Sequence, residues 1–418
     1  MKLLIEVLSF LKLNAKNIIE FIFVYIYRLT IPFKVRKIKK SSKIKVLFLL
    51  TTLPKWKTEE LYREMLYSPY FEPILGTAKI NTDEQSEVIN KHSIIKKYLE
   101  SKNYKYLVLD DHTNLKKEIK PDIIFYQEPY YGILPKNLFF TKNTYALFCY
   151  AHYGYYSIDL DFSYNCTLHW MCWQVYYEND ITLNAARRKS KIQACNGLIT
   201  GLPMSDILLR PKNDFVDPWK KLGGNHKRII WAPHHTIPTV SNYINYSIFL
   251  DIADYMIDVA IQFKDTVQFA FKPHPDLKKK LYKEWGKERT DSYYQKWETM
   301  YNTQIEQGDY IGLFKYSDAM IHDCASFTIE YLYTANPVMY LENDMPHVED
   351  LTEFGKQAYN LHYKGRNIND ILQFIRNILD NSDVMYDTRK QFIEKKLLPP
   401  NNRKASENII DEILKNRR

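Results

Sequence analysis

Short apolar runs alternate along the chain with longer charged stretches of helical spacing. The apolar runs predict buried strands at residues 45–51, 73–77, 106–109, 122–126 and 144–150. Charged stretches such as 59–66 and 82–101 lie between these runs and favour helices. Because strands that alternate with helices form parallel sheets, the first half of the chain predicts an α/β domain with helices on both faces of the sheet.

The same alternation begins again near residue 227. Runs at 228–232, 266–271, 319–321 and 337–340 predict strands, and the stretches 246–263 and 284–306 predict long helices. The polar segment 209–225 holds prolines and a Gly-Gly pair, which favours a linker. We therefore expect two doubly wound, Rossmann-like domains, one over 45–210 and one over 225–418, that face each other across a central cleft.

Residues 1–44 form a segment of a different kind. Apolar residues at Leu3, Leu4, Val7, Leu8 and Leu11 follow the spacing of an amphipathic helix. The uninterrupted apolar run 21–27 is seven residues long, far below the ~20 residues that cross a bilayer. We expect helices that lie on the inner face of a membrane, although a helix packed on the protein is the alternative.

Charge follows the same segment. The chain has 58 Lys and Arg against 49 Asp and Glu, a net charge of +9 over 418 residues. Seven of the cations fall within 34–45, directly after the apolar stretch, where anionic lipid is the expected partner. No other basic run with interleaved aromatic residues occurs, so nucleic acid is not an expected partner. The five cysteines form no CxxC pair, which favours a reducing cytoplasm.

The first candidate for chemistry is the sequence that follows the run 144–150. His152 and Gly154 stand where an open α/β sheet presents its ligands, and the pKa of an imidazole suits a general base. The alternative is a buried histidine bonded to the backbone of its own turn.

Three further candidates follow strands of the second half. His234 and His235 end the strand 228–232, and adjacent side chains of an extended chain point apart, so we expect no metal site and assign no cofactor. Lys272 and His274 follow the strand 266–271, where two prolines frame the histidine. Ser326 precedes a predicted helix over 327–335, whose first amides could bind phosphate. The alternative is that Ser326 or Asp323 only caps this helix.

The order of these elements resembles the CDP-glycerol glycerophosphotransferase family, which includes bacterial teichoic-acid primases and polymerases. The family's His-Gly-Thr-Pro motif is similar to His152-Tyr-Gly154, and its Ala-Pro-Thr strand end is similar to Ala232-Pro-His234. Its Arg-Met-His element is similar to Lys272-Pro-His274. Its Thr-Asp-Tyr-Ser-Ser motif resembles residues 322–326, with Ala325 in place of the first serine.

The resemblance implies a GT-B-like fold, with an N-terminal acceptor domain and a C-terminal nucleotide-donor domain. It implies an enzyme on the cytoplasmic face of the cell membrane that transfers a polyol phosphate from a CDP-activated donor to a membrane glycolipid, in synthesis of a teichoic-acid-like or capsular polymer. His152 would be the base and His274 would stabilise the phosphoryl group. Substrate contacts would come from Gly154, His234, Lys272, Asp323, Ser326 and Glu330.

Two other functions remain open at this point. One is a GT-B glycosyltransferase that uses a nucleotide sugar for a surface polysaccharide. The other is a non-catalytic, membrane-peripheral assembly protein.

Overall fold

The computed structural model describes residues 2–81, 85–237, 247–343 and 347–415, and within them the chain forms two parallel sheets. The strands are β1 (Ile44–Leu50), β2 (Phe71–Ala78), β3 (Tyr106–Leu109), β4 (Ile123–Tyr126), β5 (Leu147–Ala151), β6 (Gln174–Tyr177), β7 (Gly197–Ile199), β8 (Lys227–Ala232), β9 (Val267–Phe271), β10 (Thr303–Ile305), β11 (Ala319–His322), β12 (Val338–Leu341) and β13 (Tyr363–Gly365).

Helices connect these strands. They are α1 (Lys2–Lys40), α2 (Glu59–Tyr67), α3 (Gln85–Ser101), α4 (Phe162–Asn165), α5 (Thr167–Met171), α6 (Asp180–Lys189), α7 (Pro203–Leu208), α8 (Phe249–Gln262), α9 (Leu277–Glu284), α10 (Lys287–Thr299), α11 (Ile311–Lys315), α12 (Phe327–Glu330), α13 (Glu353–Tyr359), α14 (Ile368–Leu379), α15 (Tyr386–Phe392) and α16 (Ala405–Leu414). The predicted α/β class is confirmed.

The chain divides into two units, each built on one sheet. Unit 1 comprises Met1–Gly154, Leu160–Asp206 and Pro399–Arg418, and unit 2 comprises Tyr155–Asp159 and Ile207–Leu398. The strand order is β3-β2-β1-β4-β5-β6-β7 in unit 1 and β10-β9-β8-β11-β12-β13 in unit 2. In each unit the first strand of the sheet lies centrally and the order reverses beside it, which is the doubly wound Rossmann arrangement.

The central strands of both sheets are buried. Five of the seven residues of β1 form an unbroken buried run, as expected for a parallel strand covered on both faces. In unit 2 the aromatic rings of Trp231, Phe249, Phe271 and Trp297 pack together beside β8 and β9, with centroids 5.0–6.4 Å apart. These cores hold the carboxyl ends of the central strands in place.

The unit boundaries differ from the expected ones at the C-terminus. Residues 399–418 join unit 1, although the sequence pattern assigned them to a domain over 225–418. The Asp206 carboxylate accepts hydrogen bonds from the backbone amides of Ala405 (2.7 Å) and Ser406 (2.9 Å) at the start of α16. Ile409 and Ile413 of the same helix enter the apolar core of unit 1. The chain therefore leaves unit 1 at Asp206, before the predicted linker, and returns after Leu398.

Two of the predicted helices are shorter in the structure than the sequence pattern predicted. The long helix expected over 284–306 is instead the pair α9 and α10 followed by strand β10, because Gly286 has a φ of +80° and ends helical geometry between them. The helix expected over 327–335 is the short α12 and a 3₁₀ turn. The short strands β6, β7 and β13 were not predicted.

The N-terminal segment is one helix, where two shorter helices followed by a basic run were expected. Helix α1 extends through most of the basic run to Lys40. One face packs on unit 1: Tyr27 stacks on Phe148 at 5.1 Å, and Arg28 donates to the Trp170 carbonyl at 2.8 Å. The side chains of the stripe from Leu3 to Leu11 lie outside the described residues. None of the described helices is both long enough and apolar enough to cross a bilayer.

Candidate functional site

Polar side chains gather in both units at the carboxyl ends of the central strands. In unit 2 these are the ends of β8, β9 and β11, and in unit 1 they are the ends of β1, β4 and β5. The order of each sheet reverses between its first strand and the neighbour on the other side, at β8/β11 and at β1/β4. Ligands of open α/β sheets bind at such switch points.

Asp323 links the two strands at the switch point of unit 2. It follows β11, and its carboxylate accepts a hydrogen bond from the His234 backbone amide, which follows β8, at 2.5 Å. The residue is 1% exposed, and burial raises the pKa of this carboxyl to about 7. Asp323 thus shapes the turn that carries His234.

Three imidazoles converge beside this turn. The ring centroids are 4.3 Å apart for His234 and His235, 5.1 Å for His234 and His274, and 4.2 Å for His235 and His274. The expectation that His234 and His235 point apart is therefore wrong, because the chain bends at residue 235 and no longer alternates as a strand does. One nitrogen of each ring lies within 4.8 Å of the others, so the three histidines could together hold a metal ion.

The three rings are neutral at pH 7. Burial lowers the pKa of His234 to about 2 and that of His274 to about 4, and it lowers the pKa of His235 as well. Repulsion from neighbouring imidazoles and from Lys280 acts in the same direction on His234 and His274. The rings can therefore donate or accept hydrogen bonds without the cost of burying a charge.

A cation and an acid complete the described site of unit 2. Lys272 is 8% exposed, and its Nζ donates to the Gly308 carbonyl at 3.2 Å and lies 5.6 Å from the centre of the Tyr310 ring. The Tyr310 hydroxyl donates to the Glu330 carboxylate on α12. Glu330 is buried, so this contact fixes its orientation.

Ser326 has an exposed position at the start of α12. Its side chain makes no hydrogen bond that caps the helix, so the capping alternative does not describe Ser326. Helix α12 has four residues, too short for the extended helix terminus that the sequence pattern predicted.

In unit 1, His152 follows β5. Its Nδ1 lies within hydrogen-bonding distance of both the Gly154 carbonyl and, at 3.3 Å, the Gly154 backbone amide, and the Tyr153 ring stacks on the imidazole with centroids 4.9 Å apart. Burial lowers the pKa of His152 to about 4, so the ring is neutral at pH 7. The histidine is therefore bonded to the backbone of its own turn, as the alternative interpretation predicted. At Gly154 an added Cβ would meet no atom within 4 Å, so the described surroundings set no steric requirement for glycine. The contacts with His152 use the backbone carbonyl and amide of Gly154.

Sequence reasoning missed the polar group at the switch point of unit 1. Gln127 and Glu128 follow β4 directly, and the Thr51 hydroxyl after β1 lies 2.7 Å from the Gln127 amide oxygen and 3.0 Å from the Glu128 carboxylate. Lys55 forms an ion pair with the same buried carboxylate. The signal was a glutamine and a glutamate in succession after the apolar run 122–126.

Lys280 and Tyr310 of unit 2 were not named from the sequence, and His235 was named only to argue against a metal site. Lys280 and Tyr310 lie on other segments of the chain, so only the folded structure brings them to the strand ends.

These observations define a GT-B-like α/β protein with two Rossmann-like domains. The family model of CDP-Glycerol:Poly(glycerophosphate) glycerophosphotransferase matches residues 65–415. The chain therefore belongs to this family and is a transferase of the CDP-glycerol glycerophosphotransferase type, as the strand-end motifs predicted.

Solved structures agree with the fold. The wall teichoic acid polymerase TagF matches with a TM-score of 0.58 at 14% identity, over 96% of this chain and 98% of that chain. MnaA of S. aureus, in a structure with UDP, matches with a TM-score of 0.56 at 13% identity, over 89% and 96% of the two chains. A UDP-N-acetylglucosamine 2-epimerase from Listeria monocytogenes matches with 0.55 at 14%, over 89% and 96%. No curated protein matches the sequence significantly.

Proposed function

We propose that the protein transfers glycerol phosphate from CDP-glycerol to a hydroxyl of a membrane-linked acceptor, in synthesis of a teichoic-acid-like or capsular polymer. In this proposal unit 2 binds the donor and unit 1 the acceptor. The observation that carries it is the group of Lys272, His274 and His234 at the switch point of unit 2, in a chain of this family. A cation and neutral imidazoles suit phosphoryl oxygens. The polymer made by the related TagF supports the choice of product.

The reaction forms one bond and breaks one. The acceptor oxygen bonds to the phosphorus that carries glycerol, the bond from that phosphorus to the bridging oxygen breaks, and CMP leaves. The proton of the acceptor hydroxyl goes to the imidazole of His152, which burial keeps neutral at pH 7. Such a reaction depends mainly on positioning and on charge stabilisation.

The residues of unit 2 would divide the donor between them. His274 and Lys272 would stabilise the phosphoryl oxygens and the leaving group, and Ser326 would contact the pyrophosphate from its exposed position. Glu330 would accept a hydrogen bond from a donor hydroxyl. Asp323 would act through the His234 turn, since its carboxylate already binds that backbone amide.

The exposed face of α1 supports attachment to the cytoplasmic face of the cell membrane. A stripe at helical spacing is 52–68% exposed, and its members are Ile18, Ile22, Tyr25, Ile26, Leu29 and Phe33. The opposite face is already packed on unit 1, so this stripe needs another apolar partner. Part of the adjacent basic run is engaged by the protein itself: Lys37 pairs with Asp122 at 3.1 Å, and the Lys34 ammonium lies 3.9 Å from the centre of the Tyr27 ring.

Vesicle sedimentation tests this attachment. The double variant Ile22→Glu, Leu29→Glu should stay in the supernatant with vesicles of phosphatidylglycerol, whereas wild type sediments. Val216→Glu, at an 88% exposed apolar residue of unit 2, is the matched control and should sediment. Equal sedimentation of all three proteins would refute the role of α1.

Release of CMP tests the reaction. The assay compares CDP-glycerol with CDP-ribitol and with UDP- and GDP-sugars, and we expect turnover with CDP-glycerol. Turnover with a nucleotide sugar, and none with a CDP-polyol, would instead support a glycosyltransferase. If no donor is turned over, and His152→Ala and His274→Ala leave cellular function intact, the protein has a non-catalytic role.

A further inference from the structure

We infer that His235 is a further ligand of the donor phosphates and that Lys280 is the positioning residue that holds its ring in the donating tautomer. This inference rests on the proposed function, because it assigns the ligand of the same site. Its geometric basis is a pair of hydrogen bonds that fix which nitrogen of each neighbouring ring carries hydrogen.

The first bond joins helix α9 to the turn after β8. The Nζ atom of Lys280 lies 2.7 Å from Nδ1 of His235. An ammonium group has donors only, so the Nδ1 atom must accept. A neutral imidazole that accepts at one nitrogen carries its hydrogen on the other. His235 therefore presents an Nε2–H donor.

The second hydrogen bond fixes the tautomer of the neighbouring His274 ring, and its donor is a backbone amide. The backbone amide of Asp276 donates to Nδ1 of His274 at 3.1 Å, so this ring also carries its hydrogen on Nε2. The Asp276 carboxylate is 3.8 Å from the same nitrogen, beyond hydrogen-bonding distance. Two independent contacts thus hold two rings in one tautomer.

The two rings form a compact pair of donors. Their centroids are 4.2 Å apart with an interplanar angle of 52°, and among the described residues neither Nε2 has a hydrogen-bond partner. The His274 side chain is 31% exposed and His235 is partly exposed, so a ligand can reach both. Fixed N–H donors beside the buried Lys272 ammonium match the oxygens of a phosphoryl group, whose charge they stabilise without reorienting.

The same contacts argue against a metal ion bound by His234, His235 and His274. A metal binds the lone pair of an imidazole, and the lone pairs of His235 and His274 lie on Nδ1, where Lys280 and the Asp276 amide already occupy them. A metal would have to displace the Lys280 ammonium or force the ring into the other tautomer. An anion uses the tautomers as they stand.

Paired substitutions on the full chain test the inference with CDP-glycerol as the probe and titration calorimetry as the measurement. His235→Phe keeps a ring but removes the donor, and His235→Gln keeps an N–H near the place of Nε2. We expect His235→Phe to weaken binding about tenfold and His235→Gln to restore it to within about threefold of wild type. CMP, which lacks the distal phosphate, is the control ligand and should bind all variants with less difference.

Two variants of Lys280 separate its role in positioning the His235 ring from the effect of its own charge. Lys280→Gln retains a neutral donor for Nδ1 of His235, whereas Lys280→Met retains none. We expect Lys280→Gln to bind CDP-glycerol more tightly than Lys280→Met, and ¹⁵N spectra of the histidine ring to show hydrogen on Nε2 in wild type and Lys280→Gln but a mixture of tautomers in Lys280→Met. Equal losses with unchanged ring spectra would overturn the positioning role.

Two further outcomes are decisive. Stoichiometric binding of Zn²⁺ or Ni²⁺ that His235→Phe abolishes would overturn the anion assignment. If wild type binds no CDP-glycerol, the proposed function fails, and the ring spectra still decide whether Lys280 fixes the tautomer of His235.

Discussion

The two units build their strand-end sites on sheets of the same order but with different groups of polar residues. At the switch point of unit 1 a buried acid, Glu128, is paired with Lys55, and the neutral imidazole of His152 follows the next strand. At the switch point of unit 2 the buried acid, Asp323, binds a backbone amide, while Lys272 and the imidazoles supply donors. The fold supplies the positions, and the few residues after each strand decide what binds there.

Tautomers sharpen this contrast. His235 and His274 accept hydrogen bonds at Nδ1 and keep hydrogen on Nε2, whereas Nδ1 of His152 contacts both the carbonyl and the amide of Gly154. In the proposed function the same residue type serves as a base in unit 1 and as a phosphate ligand in unit 2. A base needs a lone pair that accepts a proton, whereas a phosphate ligand needs a hydrogen to donate.

The strongest way to break the comparison is to remove the base. We expect His152→Ala to lower kcat by at least about 100-fold, because a general base contributes at least that much to such a reaction. Binding of CDP-glycerol should change little. His112→Ala, at an exposed histidine of unit 1, is the matched control and should retain full turnover. A His152→Ala enzyme with normal kcat would exclude the assigned base.

A second test concerns His169, a buried histidine of unit 1. His169 is buried, neither ring nitrogen has a partner among the described residues, and burial lowers its pKa to about 3. In the unfolded chain His169 binds a proton as the pH falls through about 6.5, whereas in the folded chain it stays neutral down to about pH 3. The free energy of unfolding therefore keeps its full value above about pH 6.5 and decreases as the pH falls below it. This loss is about 2 kcal/mol at pH 5.

The variant His169→Phe should remove that loss. The difference between its urea unfolding midpoints at pH 7.5 and pH 5 should be smaller than in wild type, and the comparison between pH values cancels any packing cost of the substitution. An unchanged difference would show that His169 is not buried neutral in the folded protein.

The smallest expected effect concerns residues 399–418, which belong to unit 1 although unit 2 precedes them in the chain. Asp206→Asn leaves one of the two amides at the start of α16 without its acceptor, which should lower the free energy of unfolding of unit 1 by about 1–3 kcal/mol. The exposed Asp214→Asn is the control and should unfold as wild type does. Equal stability of the two variants would mean that Asp206 does not anchor α16.

Local patterns predicted much of the fold, because buried parallel strands appear as apolar runs. The strands β6, β7 and β13 have three or four residues each, too few for such a pattern to stand out. The return of residues 399–418 depends on contacts of Asp206 with residues about 200 positions away, which no local pattern contains.

The candidate site was predictable where a polar residue directly follows a strand, as for His152, Lys272 and Asp323. It was not predictable where other segments contribute, as for Lys280 and Tyr310. The orientation of the His235 ring was predicted wrongly because the alternation of side chains in a strand was applied beyond the end of β8, to a residue at which the chain bends.

The central claim is that the donor binds unit 2 and the acceptor chemistry belongs to unit 1. Calorimetric titration of CDP-glycerol into Lys272→Met and His152→Ala tests this most directly. The account predicts that Lys272→Met raises Kd by about tenfold or more and that His152→Ala leaves Kd within about twofold of wild type. Unchanged binding in Lys272→Met together with lost binding in His152→Ala would contradict it.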